Sequence, residues 1–183
     1  MIDMTVPRRY AKALLTLGKE DGNYKAYGEG LQGFALLLER EPELKDAMLN
    51  PAYGREERRK LLLKMIELLQ ISPLLGNLLK LLFDKHRLGA VVGVSQAYQQ
   101  LMDELEKVSR ARVKAAIPMD EGTRERLRQT LEKITGTTVI MDVEEDPGII
   151  GGVLARVGDL VLDGSVRTQL LSLRESLIKG EVL

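Results

Sequence analysis

Along the first hundred residues, apolar positions recur at helical spacing, and Gly, Asn and Pro interrupt them at short intervals. Val6, Tyr10, Ala13, Leu14 and Leu17 make one stripe, with Thr5 placed to cap a helix and Pro7 suited to its first turn. Gly22-Asn23 closes that helix, and a second stripe follows at Tyr24, Tyr27, Leu31, Phe34, Ala35 and Leu38. Glu41-Pro42 and Asn50-Pro51 bracket a short third helix carrying Leu44, Ala47 and Met48. A fourth starts near Gly54-Arg55 and turns apolar through Leu61, Leu62, Met65, Leu68 and Leu69. Ser72-Pro73 is a cap-and-start signal for a fifth, with Leu74, Leu75, Leu78, Leu79, Leu82 and Phe83 on a wide apolar face. Gly89 separates it from a sixth over residues 91–108, with Tyr98, Leu101, Met102 and Leu105 inward. Links this short imply helices packed against their neighbours, so residues 1–108 predict an all-α six-helix bundle.

The period then changes. Ala111, Val113, Ala115 and Ile117 alternate with other residues at strand spacing, and Pro118 ends the run. A helix over residues 120–134 follows, with Leu127, Leu131 and Ile134 on one face and Gly136 as its stop. Val139, Met141 and Val143 predict a second strand. Residues 149–157 and 160–162 predict two more, joined at Gly158-Asp159 by a tight turn in which glycine supplies positive φ. Ser165 is placed to cap a last helix with the stripe Val166, Leu170, Leu173 and Leu177. Residues 109–183 thus predict a small α+β module of ~75 residues, below the size at which a domain is comfortably stable alone.

Composition narrows the function. Lys plus Arg is 27 and Asp plus Glu is 27, so the formal net charge is zero. That balance argues against a nucleic-acid binder, which carries a basic surplus to displace counterions from phosphates, and against a polybasic membrane anchor. The chain has no cysteine, which removes disulfides, thiolate metal sites and cysteine nucleophiles. No apolar run approaches the ~20 residues of a spanning helix, and the start of the chain reads as neither signal nor transit peptide. The expected location is the cytoplasm.

Reactive chemistry finds little support. The one histidine, His86, stands between Lys85 and Arg87 near a helix end, a place more often structural than catalytic. The glycine-rich run GIIGGVLARVG lacks the GK[ST] ending of a phosphate loop, and its glycines suit close strand packing better. Glu144, Glu145 and Asp146 form an acidic run that reads as solvated charge. No catalytic residue, cofactor site or metal site is expected.

One pattern is more specific. The run VIMDVEEDPGIIGGVLARVGDLVLDGSVRTQLLSL resembles the C-terminal signature of the delta subunit family of F-type ATP synthases, whose mitochondrial counterpart is the oligomycin-sensitivity-conferring protein. Its matching elements are Ile150-Gly151-Gly152, Gly158-Asp159 and Asp163-Gly164-Ser165-Val166-Arg167, and RRYAKALL is similar to the family's first helix. The resemblance extends over essentially the whole chain, and the missing transit peptide fits a bacterial member.

The resemblance implies a non-catalytic stator subunit. In that family the helical domain holds N-terminal helices of alpha subunits on top of the catalytic hexamer, and the C-terminal module grips the peripheral stalk of b subunits. Membrane association arises only through the complex, at the cytoplasmic face of the bacterial inner membrane. An amphipathic helix in an apolar groove gives affinity without a reactive centre, and a nanomolar joint corresponds to about −12 kcal/mol. Tyr10 and Leu14 of the first helix, with Leu78, Leu79 and Leu82 of the fifth, are the expected groove for the alpha helix.

For the stalk-binding module, Gly151, Gly152, Gly158, Asp159, Asp163, Gly164, Ser165 and Arg167 are the signature residues. The two adjacent glycines are expected to admit a close strand approach, and Arg167 to pair with a carboxylate, Asp163 or one on the stalk. The alternatives are a generic cytosolic helical adaptor and an enzyme using the acidic loop around Glu145.

Overall fold

A computed structural model describes residues 4–179. The chain is mostly helical, with a four-stranded sheet in its C-terminal part, and it divides into two compact units, one ending at Met102 and the next beginning at Asp103. The first unit contains α1 (Thr5–Glu20), α2 (Tyr24–Arg40), α3 (Pro42–Leu49), α4 (Arg55–Leu68), α5 (Pro73–Asp84) and most of α6 (Val91–Glu106), with a 3-10 turn at Leu88–Ala90. Pro42 and Pro73 open α3 and α5, where the missing N–H has no intrahelical partner to lose.

The ends of α4 and α5 share one device. Ile71 N–H donates to the Ile66 carbonyl at 3.0 Å and Gln70 N–H to that of Glu67 at 3.1 Å. Arg87 N–H donates to Leu82 at 2.7 Å and His86 N–H to Phe83 at 3.0 Å. This double lock needs a left-handed residue, supplied by Gln70 (φ 49°) and His86 (φ 57°).

The core of this unit gathers Leu14, Leu31, Phe34, Leu38, Met48, Leu62, Leu75, Leu79, Leu82, Val91, Val94 and Tyr98. Several sequence expectations shift. α1 begins at Thr5, with Met4 at the cap position, and its buried residues are Pro7, Ala11, Leu14, Leu15 and Gly18, leaving Ala13 and Leu17 exposed. Close approaches at both ends of α1 go with this, since a Cβ at Gly18 would stand 2.9 Å from the Tyr24 Cα at the start of α2, and one at Gly93 of α6 would meet Pro7 Cγ at 3.1 Å. Small residues therefore turn inward where bulky ones set the sequence pattern. Leu68, Leu69 and Leu105 are also exposed, and Ser72 sits at the start of α5 without a side-chain cap bond.

The second unit contains β1 (Val108–Ala115), α7 (Glu121–Thr135), β2 (Thr138–Glu145), β3 (Val153–Val157), β4 (Leu160–Asp163) and α8 (Val166–Lys179). The sheet order is β2-β1-β3-β4. β1 and β2 are parallel, as a strand–helix–strand crossover through α7 requires, and the other pairings are antiparallel. Ala111, Val113, Val139, Ala155 and Val157 bury one face of the sheet in a cluster with Leu131 of α7. Asp120 caps α7 by accepting the Thr123 N–H at 2.9 Å, and Gly136 ends it at φ 68°. The strand expected from residue 149 begins only at Val153, because a 3-10 turn at Pro147–Ile149 and the Gly151-Gly152 step take up the intervening chain. Ile117 falls beyond the end of β1 and is exposed, and Ile134 on α7 is exposed as well.

Candidate functional site

α1 and α5 pack against each other, so the helices expected to form the alpha groove are neighbours. The five groove residues occupy different depths. Leu14, Leu79 and Leu82 are at most 2% exposed, and with Leu78 they belong to the core cluster rather than to an open groove. Tyr10 is half-buried, and its hydroxyl accepts a 3.3 Å hydrogen bond from Arg87 Nη1. The large apolar residues these two helices present to solvent are Leu17 and Leu81, each 44% exposed. Periodicity finds the apolar face of a helix but not how much of it neighbouring helices cover.

The C-terminal signature residues converge on one junction. Gly152 has φ +79°, and a Cβ there would stand 2.2 Å from the Gly164 carbonyl oxygen. Any side chain would force the two loops apart. A Cβ at Gly151 would meet Val166 Cγ2 at 2.9 Å. The close approach expected of this pair is therefore made against the start of α8 rather than a neighbouring strand. Val166 N–H donates to the Gly151 carbonyl at 2.9 Å, and Gly164 N–H to that of Val153 at 2.9 Å.

The helix start itself is tied at several points. Asp163 Oδ1 accepts the Ser165 N–H at 2.9 Å, and Oδ2 accepts the Thr168 hydroxyl at 2.8 Å. Ser165 Oγ accepts the Thr168 N–H at 3.2 Å, the cap expected of it. The Ser165 amide, then the Thr168 hydroxyl, hold the Asp163 carboxyl below its usual range. With Asp163 so engaged, Arg167 does not pair with it; Nη1 reaches the Gly148 carbonyl at 3.5 Å instead. Gly158 takes φ +58° in the β3–β4 turn, and Asp159 is exposed at its tip.

Beyond this junction α8 is bare. Its expected inward stripe is exposed, with Leu170 and Leu173 at 52% and Leu177 at 68%, and Leu171 and Ile178 are exposed too. A helix of 14 residues is marginal in water without tertiary packing. Five large aliphatic side chains on one such helix make a surface suited to a partner. Just before the junction, Ile150 has φ 69° and ψ −43°, and the Gly151 N–H bonds back to the Ile149 carbonyl at 2.8 Å. That is a γ-turn of the rare, strained hand. The side chain it carries is β-branched and exposed.

The acidic loop serves structure. Asp146 Oδ2 accepts from Lys114 Nζ at 2.9 Å and Oδ1 from the Gly148 N–H at 3.0 Å, and the lysine beside it holds this carboxyl below its usual range. The Glu144 and Glu145 side chains are exposed at the end of β2. Among the described residues no group of three or more acidic or histidine side chains is placed to hold a metal ion. None of the described helices is long and apolar enough to cross a membrane.

A helical unit followed by a small α+β unit, with signature residues that set the backbone at the start of α8 and a last helix that presents apolar surface, defines the class as an interaction protein. The chain belongs to the ATP synthase delta (OSCP) subunit family, whose description residues 6–177 match. It is 46% identical to an ATP synthase subunit delta of Desulfosudis oleivorans over 99% of both chains. It is 43% identical to one from Desulfatibacillum aliphaticivorans over the full length of both. Its fold matches a chain in a cryo-EM structure of the Toxoplasma gondii mitochondrial ATP synthase hexamer, with a TM-score of 0.69 and 23% identity over 95% of this chain and 98% of that one.

Proposed function

We propose that this chain is the delta-type stator subunit of an F-type ATP synthase, a non-catalytic link between the catalytic head and the peripheral stalk. The observation that carries the reading is the end-to-end likeness to delta subunits, 46% identical over 99% of both chains. A generic cytosolic adaptor gives no account of that likeness. The six helices of the first unit act as one bundle that receives the N-terminal helix of an alpha subunit along the α1–α5 seam. Tyr10, Leu17 and Leu81 are its accessible contacts, and Leu14, Leu78, Leu79 and Leu82 are the floor that keeps the two helices at docking distance.

The second unit grips the b-subunit stalk through α8, whose exposed leucines support that assignment. Gly151, Gly152, Gly164 and Asp163 fix where α8 leaves the sheet. The protein sits on the membrane only through the assembled complex, at the cytoplasmic face in a bacterial cell. Tagged protein purified from detergent-solubilised membranes should bring alpha, beta and b subunits with it. Recovery of the chain alone would contradict the proposal.

A further inference from the structure

The C-terminal end of α3, the loop after it, the first turns of α4, the end of α5 and the 3-10 turn at Leu88–Ala90 surround a cavity of ≈ 290 Å³. Its floor is apolar, formed by the buried side chains of Met48, Phe83 and Leu88. Its rim carries Arg55, Arg58 and His86. The Arg58 guanidinium lies over the Phe83 ring, 5.8 Å from its centroid, and Nε is buried with no hydrogen-bond partner. Guanidinium has donors and no acceptor, and of the oxygens it can bond a carboxylate gives the strongest, two-pronged contact. Arg55 Nη2 already has a partner in Asp84, at 3.2 Å, on the exposed side.

An apolar floor beneath a cationic rim selects a molecule with an anionic head and an apolar body. The volume lies at the small end of ligand pockets, too tight for a folded peptide segment. We propose that this cavity binds a small amphipathic monocarboxylate, its head held by Arg58 with Arg55 at the rim and its apolar chain laid over Phe83, Met48 and Leu88. The site lies on the helical unit and is not part of either interface assigned above.

The test is titration of the full, isotopically labelled chain with sodium octanoate, read by NMR at the amides of Leu49, Leu88 and Gly89 and at the Arg58 Nε–H. Saturable shifts confined to these groups are expected, with a Kd on the order of 1 mM for so small a ligand. 1-Octanol, which has the chain without the charge, should bind at least about tenfold more weakly, and Arg58→Gln should weaken octanoate by a similar factor. Gly89→Leu should abolish binding while leaving Arg58 in place. A Cβ at Gly89 meets only Leu49 methyl groups, at 3.6 and 3.9 Å, so this variant keeps the fold if Arg58→Gln does not. The proposal is overturned by no saturation up to roughly 10 mM, by equal affinity for octanol and octanoate, or by unchanged binding in Gly89→Leu.

Discussion

Gly152 and Ile150 stand two residues apart, both at positive φ, and predict opposite responses to substitution. Gly152→Ala adds a Cβ 2.2 Å from the Gly164 carbonyl oxygen, where backbone must move, so a loss of about 2–4 kcal/mol is expected in thermal or denaturant unfolding of the second unit. Ile150→Gly removes left-handed strain from a residue that is 64% exposed and contributes little packing, so a gain of about 1 kcal/mol is expected in the same measurement. Stabilisation by the first or destabilisation by the second would contradict this account of the junction. On α7, Glu125 accepts from Arg128 Nη2 at 2.6 Å and Nε at 2.9 Å. The arginine, followed by Gln129, draws the Glu125 pKa down from 4.5 to about 2. A depressed folded-state carboxylate stabilises above its unfolded value, and that contribution fades as pH falls from 4.5 towards about 2. The melting temperatures of the wild type and Glu125→Gln should therefore differ at neutral pH and draw together in strong acid. A gap that widens on acidification would reverse the sign and discard the pairing.

The helices differ in how far their covered faces were legible. α5 reads directly from the sequence because Leu75, Leu78, Leu79, Leu82 and Phe83 are large and all lie inward. α1 does not, because its inner face is built from Pro7, Ala11 and Gly18 beside two leucines, and packing distance rather than hydrophobicity decides it. α8 reads correctly as a capped amphipathic helix, yet its stripe is exposed, since alternation within one chain cannot say whether the cover comes from the same molecule. The tight turn at Gly158 and the Ser165 cap were legible from local chemistry alone. The shift of β3 to Val153 was not, because it follows from the contact between Gly152 and Gly164, far apart in sequence. The same contrast separates two leucines on α5. Leu79→Asp places a carboxylate at a position with no exposure and should cost more than about 4 kcal/mol, seen as loss of helical circular dichroism. Leu81→Asp should keep full helicity and weaken binding of an alpha N-terminal peptide. A folded Leu79→Asp protein would show that this part of the core is misassigned.

At the scale of the whole molecule, the proposed role needs two grips and no reactive centre. A stator resists torque through affinity and stiffness, so the apolar faces of α8 and of the α1–α5 seam matter more than any single side chain. The decisive measurement compares two activities in membranes rebuilt with either the full chain or a chain ending at Glu106, which keeps α1 to α6 and loses the sheet and α8. ATP hydrolysis by the detached catalytic sector should be the same with both, and the shortened chain should still bind alpha peptide. Proton-driven ATP synthesis should collapse with the shortened chain, because the head is no longer held against the rotor. Full synthesis with the chain ending at Glu106 would contradict the claim that this protein ties head to stalk.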